Sequence, residues 1–488
     1  MQLLDRFLYA GSCALAWACV SPSSPAAAHV DGAPPAAAPA AIQETPQQVL
    51  ITNVSVWDGT SDSARPGLDV LVEGNKVKQI AAGIEAPDAV VVDGKGGVVT
   101  PGLIDMHQHL MLNEGTAGGN KWDAYVQGAH ASRAAEYLLR SGFTTIRDIA
   151  GNSLGLKRAI NGGFLPGPRI YSSGPALGPT GGHSDWGSWV AAPGEESYQI
   201  KVQNTMVVDG VPEWLRAGRW VFRMGGDFLK VMSGGGVASD FDPLDLDSPS
   251  LEEMKAAVQV ANEYGGYVAI HGYTDAAYNK SLDAGVKSFE HGFLISEETV
   301  ERMAEEGVWW SWQPYGSYNT FGKGNFPDWF TDDMRVKGAL VAEGSVRVPQ
   351  MMKKHGVKIF TGSDMFGWDN WHNAIVNVAY PVEIPDVGFN SLDCMKMATS
   401  HAGQALLELS APSRNPFRGA KLGVVEEGAW ADLLIWKGDP TQDVRLILEA
   451  DNLLFIMKDG TSFKNLLVDP THESFRGALK PSGYSWSM

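Results

Sequence analysis

The sequence predicts an α/β protein organised as a (β/α)8 TIM barrel of parallel strands. Eight short apolar segments are predicted to be strands, at 103–109, 143–149, 169–173, 228–232, 267–271, 287–291, 307–313 and 358–363. Helical patterns such as 129–141 and 251–264 intervene, as connections between parallel strands require. A barrel of roughly 250 residues plus an accessory domain fits the length of this chain.

Two histidines close the first of these strands. His107 and His109 lie two residues apart, and alternate residues of a strand face the same side. Both side chains can therefore reach one metal ion while Gln108 turns away. Taken alone, the pair has an ordinary interpretation as solvent-facing or hydrogen-bonded histidines.

A lysine lies inside the fourth apolar segment, 228–232. Burial of Lys230 should lower its pKa and favour the neutral amine. A neutral amine can combine with carbon dioxide to give a carbamate, whose two oxygens suit a pair of divalent ions. In isolation, the same lysine could instead reach solvent from the strand end and have no function.

Three further candidate ligands end later strands. His271 and His291 each follow an apolar run, and the helical stretch between them, 274–284, is closed by Gly285. Asp364 ends the last of the eight strands. Each could be a core or capping residue by itself, but the order of all six ligands favours one metal site at the rim of a barrel.

The order His-x-His, Lys, His, His, Asp resembles that of the binuclear amidohydrolase superfamily. Further motifs are similar to its prolidase-like branch: Phe-Leu-Lys-Val-Met-Ser-Gly-Gly-Gly at 228–236, Thr-Thr-Ile-Arg-Asp-Ile at 144–149, Gly-Gly-His-Ser-Asp at 181–185, His-Gly-Tyr-Thr at 271–274 and Phe-Glu-His-Gly at 289–292. That branch includes Xaa-Pro-type dipeptidases and amidases that hydrolyse ochratoxin. The resemblance runs from about residue 49 to 465.

The resemblance implies two divalent ions. It places His107, His109 and Asp364 on the first ion, His271 and His291 on the second, and N6-carboxylated Lys230 between them. Nitrogen and oxygen ligands favour zinc, with manganese and cobalt as alternatives. Water between two such ions loses its proton near neutral pH, so a bridging hydroxide is expected to attack the substrate carbonyl, with Asp364 as the proton shuttle.

Two other side chains are candidate catalytic groups. Tyr273 follows His271 by two residues and would share its face, so it could donate a hydrogen bond to the carbonyl oxyanion; packing in the barrel mouth is the alternative. His183 lies in a glycine-rich loop where relatives place a histidine near the substrate, although it could simply order that loop. Arg147 and Asp148 end the second strand, where an internal ion pair is the alternative to catalysis.

Aromatic residues concentrate in segments 186–189, 309–315, 326–330 and 366–372. We expect these to follow the third, seventh and eighth strands and to roof the site, which favours a substrate with a bulky apolar or aromatic group. The alternative is that they pack loops or form the contact of a homo-oligomer, since aromatic clusters serve interfaces equally well.

Segments near residue 50 and near residue 450 are both predicted to contribute strands to a small sheet. The candidate strands are 49–57, 68–72, 76–81, 90–92, 431–436 and 453–457. The family resemblance implies that the two halves pair into one β-sandwich. The predicted order is sandwich at 47–100 and 420–470, barrel at 101–419 and a tail at 471–488.

The N-terminus has the pattern of a secretory signal peptide over 1–28. Arg6 precedes an apolar stretch at 7–20, and the alanines at 26–28 offer a cleavage site. The Ala- and Pro-rich segment 29–46 is predicted to be a disordered linker. We therefore expect a periplasmic or secreted protein without membrane insertion after signal removal, a disordered extension being the alternative.

The charge and the cysteine content of the sequence argue against several kinds of partner and site. The net charge is −18, from 38 Lys+Arg against 56 Asp+Glu, which argues against a nucleic-acid or anionic-membrane partner. If Cys13 and Cys19 leave with the signal, Cys394 alone cannot form an intrachain disulfide or a thiolate zinc site.

The predicted function is hydrolysis of an amide or peptide bond in a small molecule, a dipeptide or N-acyl amino acid with a bulky hydrophobic group. A lactonase or carboxylesterase would use the same site, because the same hydroxide attacks any activated carbonyl. A catalytically silent barrel used for binding or assembly is the alternative of another class, and the intact ligand set weighs against it.

Overall fold

The computed structural model describes residues 48–112, 123–192, 194–365 and 370–468. The predicted signal peptide, the Ala/Pro linker and the tail at 471–488 lie outside the described residues. The chain begins with five strands, β1 (Gln48–Val56), β2 (Arg65–Glu73), β3 (Lys76–Ala81), β4 (Val90–Asp93) and β5 (Val98–Pro101). The first four match the predicted N-terminal strands, and β5 was not predicted.

The central strands pair in parallel. They are β6 (Leu103–Gln108), β7 (Phe143–Asp148), β8 (Arg169–Ser172), β9 (Ala176–Gly178), β10 (Thr205–Val207), β11 (Leu229–Met232), β12 (Val268–Gly272), β13 (Ser288–His291), β14 (Trp309–Trp312) and β15 (Lys358–Thr361). All eight predicted strands are present, and their ends differ from the predicted ones by at most two residues. The prediction missed β9 and β10, which have 3 residues each and are too short to show a periodic pattern.

These central strands form two sheets, β6-β7-β8 and β10-β9-β11-β12-β13-β14-β15. Backbone contacts connect the sheets at their edges: the Asp227 N–H donates to the Ser172 carbonyl at 2.8 Å, and the Asp364 N–H donates to the His107 carbonyl at 2.7 Å. Most central strands are buried along their whole length, as parallel strands covered on both faces are. The protein is therefore α/β with parallel sheets, as predicted.

The α-helices of the described residues connect these strands and cover them. They are α1 (Ala124–Arg140), α2 (Leu154–Asn161), α3 (Tyr198–Lys201), α4 (Val211–Met224), α5 (Leu251–Glu263), α6 (Asp275–Ala284), α7 (Glu297–Glu305), α8 (Asp332–Ala342), α9 (Gly344–His355), α10 (Asn373–Ala379), α11 (Ser391–Met397) and α12 (Ser400–Glu408). A π-helix spans Tyr315–Gly322, and 3-10 helices span Tyr380–Glu383, Val444–Leu448 and Ala450–Asn452. None of the helices described here has the length and apolar character that a bilayer crossing requires.

Local sequence explains where these helices start and stop. The Ser250 side chain accepts a hydrogen bond from the Glu253 N–H, and the Glu253 carboxylate accepts one from the Ser250 N–H, a capping box that starts α5. The Thr274 side chain accepts a hydrogen bond from the Ala277 N–H and so caps the start of α6. Gly285 ends α6 at φ 90°, as the sequence predicted, because glycine takes this left-handed conformation without a steric penalty.

Strands from both ends of the chain share one eight-stranded sheet. The C-terminal strands are β16 (Leu433–Trp436), β17 (Leu453–Lys458) and β18 (Thr461–Asn465). The sheet has the order β18-β17-β16-β5-β1-β2-β3, with β4 beside β1. Strands β16 and β5 pair antiparallel, which joins the two ends. A sandwich arrangement of these strands stays a prediction.

A buried arginine connects the terminal sheet to the central strands. Arg169 on β8 donates from Nε to Oδ2 of Asp432 at 3.0 Å and from Nη2 to Oδ1 of Asp459 at 2.8 Å. Its guanidinium also lies 4.3 Å from the ring centroid of Trp430. Since a buried cation is tolerated only when it is paired, these contacts fix the position of the terminal sheet against β8.

Candidate metal centre

The His-x-His pair and Asp364 form a compact group of metal-ligand type. His109 Nε2 lies 3.0 Å and His107 Nε2 lies 3.4 Å from the same oxygen, Oδ1 of Asp364. Both histidines are buried and Asp364 is partly buried. Two imidazole nitrogens and a carboxylate oxygen thus converge, as the sequence predicted they could, and this donor set suits a divalent transition metal.

A buried carboxylate locks the two segments that carry this group. Asp105 Oδ1 accepts hydrogen bonds from the backbone N–H groups of His107 and Ser363, each at 3.0 Å. Its Oδ2 accepts from the Ser363 hydroxyl at 2.5 Å. Gly362 permits the close approach, because a Cβ atom at that position would lie 2.3 Å from the Cβ of His107.

His271, His291 and Lys230 line the same cavity as the first group. The ring centroid of His291 lies 4.5 Å from that of His271 and 5.0 Å from that of His107. Burial holds the pKa of both His271 and His291 well below the ordinary range. Both rings are therefore neutral, which is the form that binds metal.

Lys230 is buried, and its amine makes no hydrogen bond to the described residues. Burial lowers the pKa of this amine to about 8. The neutral amine is the nucleophilic form. The lowered pKa agrees with the expectation from sequence, and the unpartnered nitrogen marks a place where a further group can bind.

The structure also shows a hydrogen-bonded series of ionisable side chains, Arg147, Glu290 and His107, and sequence analysis missed its central member. Glu290 Oε2 lies 2.8 Å from His107 Nδ1, and Arg147 Nη2 donates to Glu290 Oε1 at 2.6 Å. Burial alone would raise the pKa of Glu290, but Arg147 and His107 hold it well below its ordinary range. A carboxylate on Nδ1 keeps the proton there and leaves Nε2 of His107 free to bind a metal.

Arg147 therefore forms the internal ion pair that its sequence position suggested, but its partner is Glu290. Asp148 instead accepts a hydrogen bond from the Leu110 N–H at 2.8 Å, and burial raises its pKa to about 7. A signal for Glu290 was present in the sequence. Glu290 directly follows Phe289 in a strand that was predicted from its sequence, and a charged residue inside a buried strand is costly unless it has a partner.

Gln313 is a second residue that sequence analysis missed. Its Oε1 lies 3.1 Å from His291 Nδ1, and its Nε2 donates to the Ser311 carbonyl at 3.0 Å. His271 is held differently, since its Nε2 lies 3.2 Å from the Gly235 carbonyl oxygen. Each of these two rings thus has one nitrogen engaged by the protein and the other left for a ligand.

Both secondary candidates lie at the same cavity. His183 Nδ1 lies 2.8 Å from Asp242 Oδ2, and its ring stacks on that of His271 with centroids 4.2 Å apart. Tyr273 stacks on His291 at 5.3 Å, and burial raises the pKa of its phenol well above the ordinary range. Tyr273 therefore stays protonated, and its hydroxyl can donate a hydrogen bond at neutral pH.

Two site residues have a strained backbone conformation. His291 has φ 70° and Asp364 has φ 56°, a left-handed conformation that is uncommon for residues other than glycine. Such strain costs on the order of 1–3 kcal/mol per residue and persists only where surrounding contacts impose it. The indole N–H of Trp310 donates to the His291 carbonyl at 2.8 Å, which is one such contact.

The cavity above the ligands has a volume of about 300 Å³ and a largely apolar lining. Trp186, Tyr315, Trp329 and Phe330 line it, in agreement with the expectation that aromatic loops roof the site. The expectation was wrong for Trp309, Trp310 and Trp312, which lie on β14 and are buried in the core. Trp189 is 78% exposed, and the aromatic residues at 366–368 lie outside the described residues.

Comparison with known proteins agrees with this geometry. Residues 98–462 match the model of the amidohydrolase family. An ochratoxinase from Aspergillus niger is 29% identical over 394 residues, which cover 78% of each chain.

Two crystal structures are similar over 86% of this chain and 100% of theirs. A prolidase complexed with N-methylphosphonate-L-proline has a TM-score of 0.78 at 26% identity. An Xaa-Pro dipeptidase with bound methionine has a TM-score of 0.74 at 28% identity. The chain belongs to the amidohydrolase family, in its prolidase-like branch, and is a hydrolase that acts on carbon–nitrogen bonds.

Proposed function

We propose that this protein is a metal-dependent amidohydrolase that cleaves a dipeptide or an N-acyl amino acid carrying a bulky hydrophobic group. The observation that carries this proposal is the convergence of His107, His109 and Asp364 on one largely apolar cavity, beside a buried Lys230 whose amine has no hydrogen-bond partner among the described residues. Similarity to an ochratoxinase, a prolidase and an Xaa-Pro dipeptidase supports it.

The residues fit two divalent ions, which we propose to be zinc. His107, His109 and Asp364 would hold one ion, His271 and His291 the other, and Lys230 as N6-carboxylysine would contribute an oxygen to each. The unpartnered amine of Lys230 supports this, because a carbamate would give that nitrogen and its oxygens partners. When bound, such ions supply Lewis acidity and lower the pKa of water.

Asp364 is the proposed proton shuttle. Burial would raise its pKa, but His107 and His109 keep it well below the ordinary range, so the carboxylate is ionised and can accept a proton. A water oxygen forms the new bond to the carbonyl carbon and the carbon–nitrogen bond breaks. Asp364 passes the water's proton to the leaving nitrogen, which leaves as an amine.

Tyr273 and His183 would orient the substrate. The protonated phenol of Tyr273, between His271 and His291, is placed to donate to the developing oxyanion. His183 has its Nδ1 engaged by Asp242, so its Nε2 is the nitrogen available to the cavity that it lines. Both roles are proposals that rest on position.

The fold we propose is a closed (β/α)8 barrel over 101–419. The hydrogen bond from the Asp364 N–H to the His107 carbonyl and the bridge between Gln108 and Met365 support closure between β15 and β6. The segments 47–100 and 420–470 would form the accessory β-sandwich. Their shared eight-stranded sheet supports that proposal.

We predict that zinc-loaded protein hydrolyses N-acyl amino acids with aromatic acyl groups, and that Asp364→Asn lowers kcat by at least ~100-fold. Asparagine keeps the size and tolerates the left-handed backbone but cannot shuttle the proton. The measurement is steady-state kinetics against dipeptides, N-acyl amino acids, lactones and aryl esters, with zinc content determined in parallel.

The matched control is Asp386→Asn, since Asp386 is exposed and also left-handed, with φ 62°. It should keep wild-type kcat. Wild-type turnover by a zinc-loaded Asp364→Asn variant would show that Asp364 is not the shuttle. Turnover of lactones or esters alone would replace the amidase with an esterase.

We predict that Lys230→Met keeps the fold but reduces the metal content from about two ions per chain to one or none. Methionine has a similar length and removes an amine that is buried without a partner among the described residues, so the free energy of unfolding of the metal-free protein should not fall. Metal analysis and urea unfolding measure the two effects.

Lys157→Met is the matched control, because the buried Lys157 amine is paired with Asp227 at 2.5 Å. It should retain metal but lose about 3–5 kcal/mol of stability, since Asp227 is left buried and unpaired. Full metal content in Lys230→Met would make Lys230 a structural residue.

We predict that Glu290→Gln weakens metal binding by about 10–100-fold. The neutral amide no longer stabilises the Nδ1 proton of His107 as a carboxylate does. Competition with a chelator measures the affinity. The control is Glu297→Gln, in an exposed glutamate 2.7 Å from His355 Nε2, which should leave the affinity unchanged; an equal effect of both variants would contradict a specific role.

We propose that residues 1–28 direct export to the periplasm or the medium. Deleting 1–46 should leave metal content and turnover unchanged but stop export, because the predicted core begins after this segment. Deleting 29–46 alone should preserve export. Cell fractionation and the N-terminal sequence of the mature protein measure this, and an uncleaved precursor retained inside the cell would refute the signal.

A further inference from the structure

The cavity has two separate apolar walls. The small wall consists of Leu112, Ala150, Trp186 and Met232, which belong to a hydrophobic cluster of their own. The aromatic wall consists of Phe293, Tyr315, Phe321, Trp329 and Phe330, which belong to the largest core cluster. Since the two walls do not pack into one cluster, each can receive a different part of a ligand.

The small wall starts next to a candidate ligand. Met232 follows Lys230 by two residues on β11 and therefore shares its face. Ala150 follows β7 and is one of the buried residues that line the cavity. Trp186 lines the wall from a loop that Asp185 orders by accepting from the Gly181 N–H at 2.9 Å. Leu112, Ala150 and Met232 have smaller side chains than the aromatic residues of the other wall, so the small wall suits a small apolar group.

The aromatic wall starts on the other side of the ligand set. Phe293 follows β13, and the remaining members follow β14 in the segment 315–330. The π-helix that begins this segment is anchored by the Ser317 hydroxyl, which donates to the Gln313 carbonyl at 2.8 Å. Ring contacts then stiffen it: the Phe330 centroid lies 4.6 Å from Trp329 and 6.4 Å from Phe321.

The candidate ligands therefore lie between two apolar surfaces of different size. In the small wall, Leu112 follows β6, Ala150 follows β7, Trp186 follows β9 and Met232 ends β11. The residues of the aromatic wall follow β13 and β14. A carbonyl held at the ligands would extend one substituent towards each surface. A charged group packed directly against either wall would be disfavoured, because the residues that form the walls carry no charge.

We propose that the substrate carries an apolar group on each side of the scissile bond, a bulky aromatic group against the aromatic wall and a small aliphatic group against the small wall. This inference rests on the proposed amide hydrolysis at the same site. Ala150 and Phe321 are the specificity-determining residues, because Ala150 limits the small wall and Phe321 supplies a partly buried ring to the aromatic one.

The test uses zinc-loaded protein and a set of N-acyl amino acids. The acyl group is acetyl or naphthoyl, and the amino acid is glycine, alanine, phenylalanine or glutamate. The wild type should show the highest kcat/KM for one large and one small apolar group. Exchanging the two sides should lower kcat/KM by at least about tenfold, since pocket fit discriminates on that scale. The preferred orientation assigns the acyl side to one wall.

Two variants then probe the walls separately. Ala150→Leu should lower kcat/KM at least about tenfold when the group on the small side is larger than hydrogen. Phe321→Ala should lower it by a similar factor only for the aromatic group. Met232→Ala shortens a side chain of the small wall and should raise kcat/KM for substrates with a larger group on that side. This variant keeps the test valid if Ala150→Leu does not fold.

The outcomes separate this inference from the proposed function. The two-wall inference would be overturned if kcat/KM depended on the group on one side only. It would also be overturned if Ala150→Leu and Phe321→Ala affected the same side at unchanged zinc content. Either result would leave amide hydrolysis intact. If the wild type cleaves none of the amides, their binding is measured by calorimetry. A two-sided size dependence of Kd would then support the walls and reject the hydrolase, and a one-sided or absent dependence would reject both.

Discussion

A buried guanidinium organises the interior beneath the site. Arg147 has no exposed surface, so its charge has to be neutralised by a partner, which is Glu290 at 2.6 Å. Glu290 in turn holds His107 through Nδ1. The three residues lie on β7, β13 and β6. Removing one member of such a chain would leave a buried charge without compensation, at a cost of about 3–5 kcal/mol, so the charges tie three strands to one geometry.

The same principle extends to the other rings of the site. His291 is engaged at Nδ1 by Gln313, and His271 at Nε2 by the Gly235 carbonyl. Each ring therefore presents its other nitrogen, and the protein decides which one by placing a single acceptor. Burial keeps these two histidines neutral. Electrostatics and hydrogen bonding thus leave neutral imidazole nitrogens that can bind metal ions, in a place where an isolated charge would be unfavourable.

The backbone is strained at two candidate metal ligands, one at the end of β13 and one just after β15, and this conformation orients their side chains. His291 and Asp364 are both left-handed, and neighbouring hydrogen bonds offset the cost. The Asp364 N–H donates to the His107 carbonyl, and the next residue after His291, Gly292, donates to the Gly272 carbonyl at 2.9 Å. Except for Met232 on β11, the residues of the walls that would select the substrate follow the strands, so most of them can vary without disturbing the ligands.

The sequence by itself predicted the parallel strands and the positions of the candidate ligands, because both depend on local pattern. A ligand at the end of an apolar run is visible in a window of a few residues, and this located His107, His109, Lys230, His271, His291 and Asp364. It could not assign roles to Glu290, Gln313 and Asp105. Their function depends on partners such as Arg147, which is 143 residues from Glu290.

Only the tertiary structure decided what the aromatic residues do. Trp310 and Phe330 both lie in aromatic-rich segments of sequence, yet Trp310 is buried on β14 and Phe330 lines the cavity. Side chains alternate between faces along a strand but follow no such rule along a loop. Which aromatic residue meets the cavity therefore depends on how the segment 315–330 packs on α8 and its neighbours. That packing also involves residues far apart in the chain, such as Tyr315, whose N–H donates to Asn377 Oδ1 at 3.1 Å, and local periodicity carries no information about it.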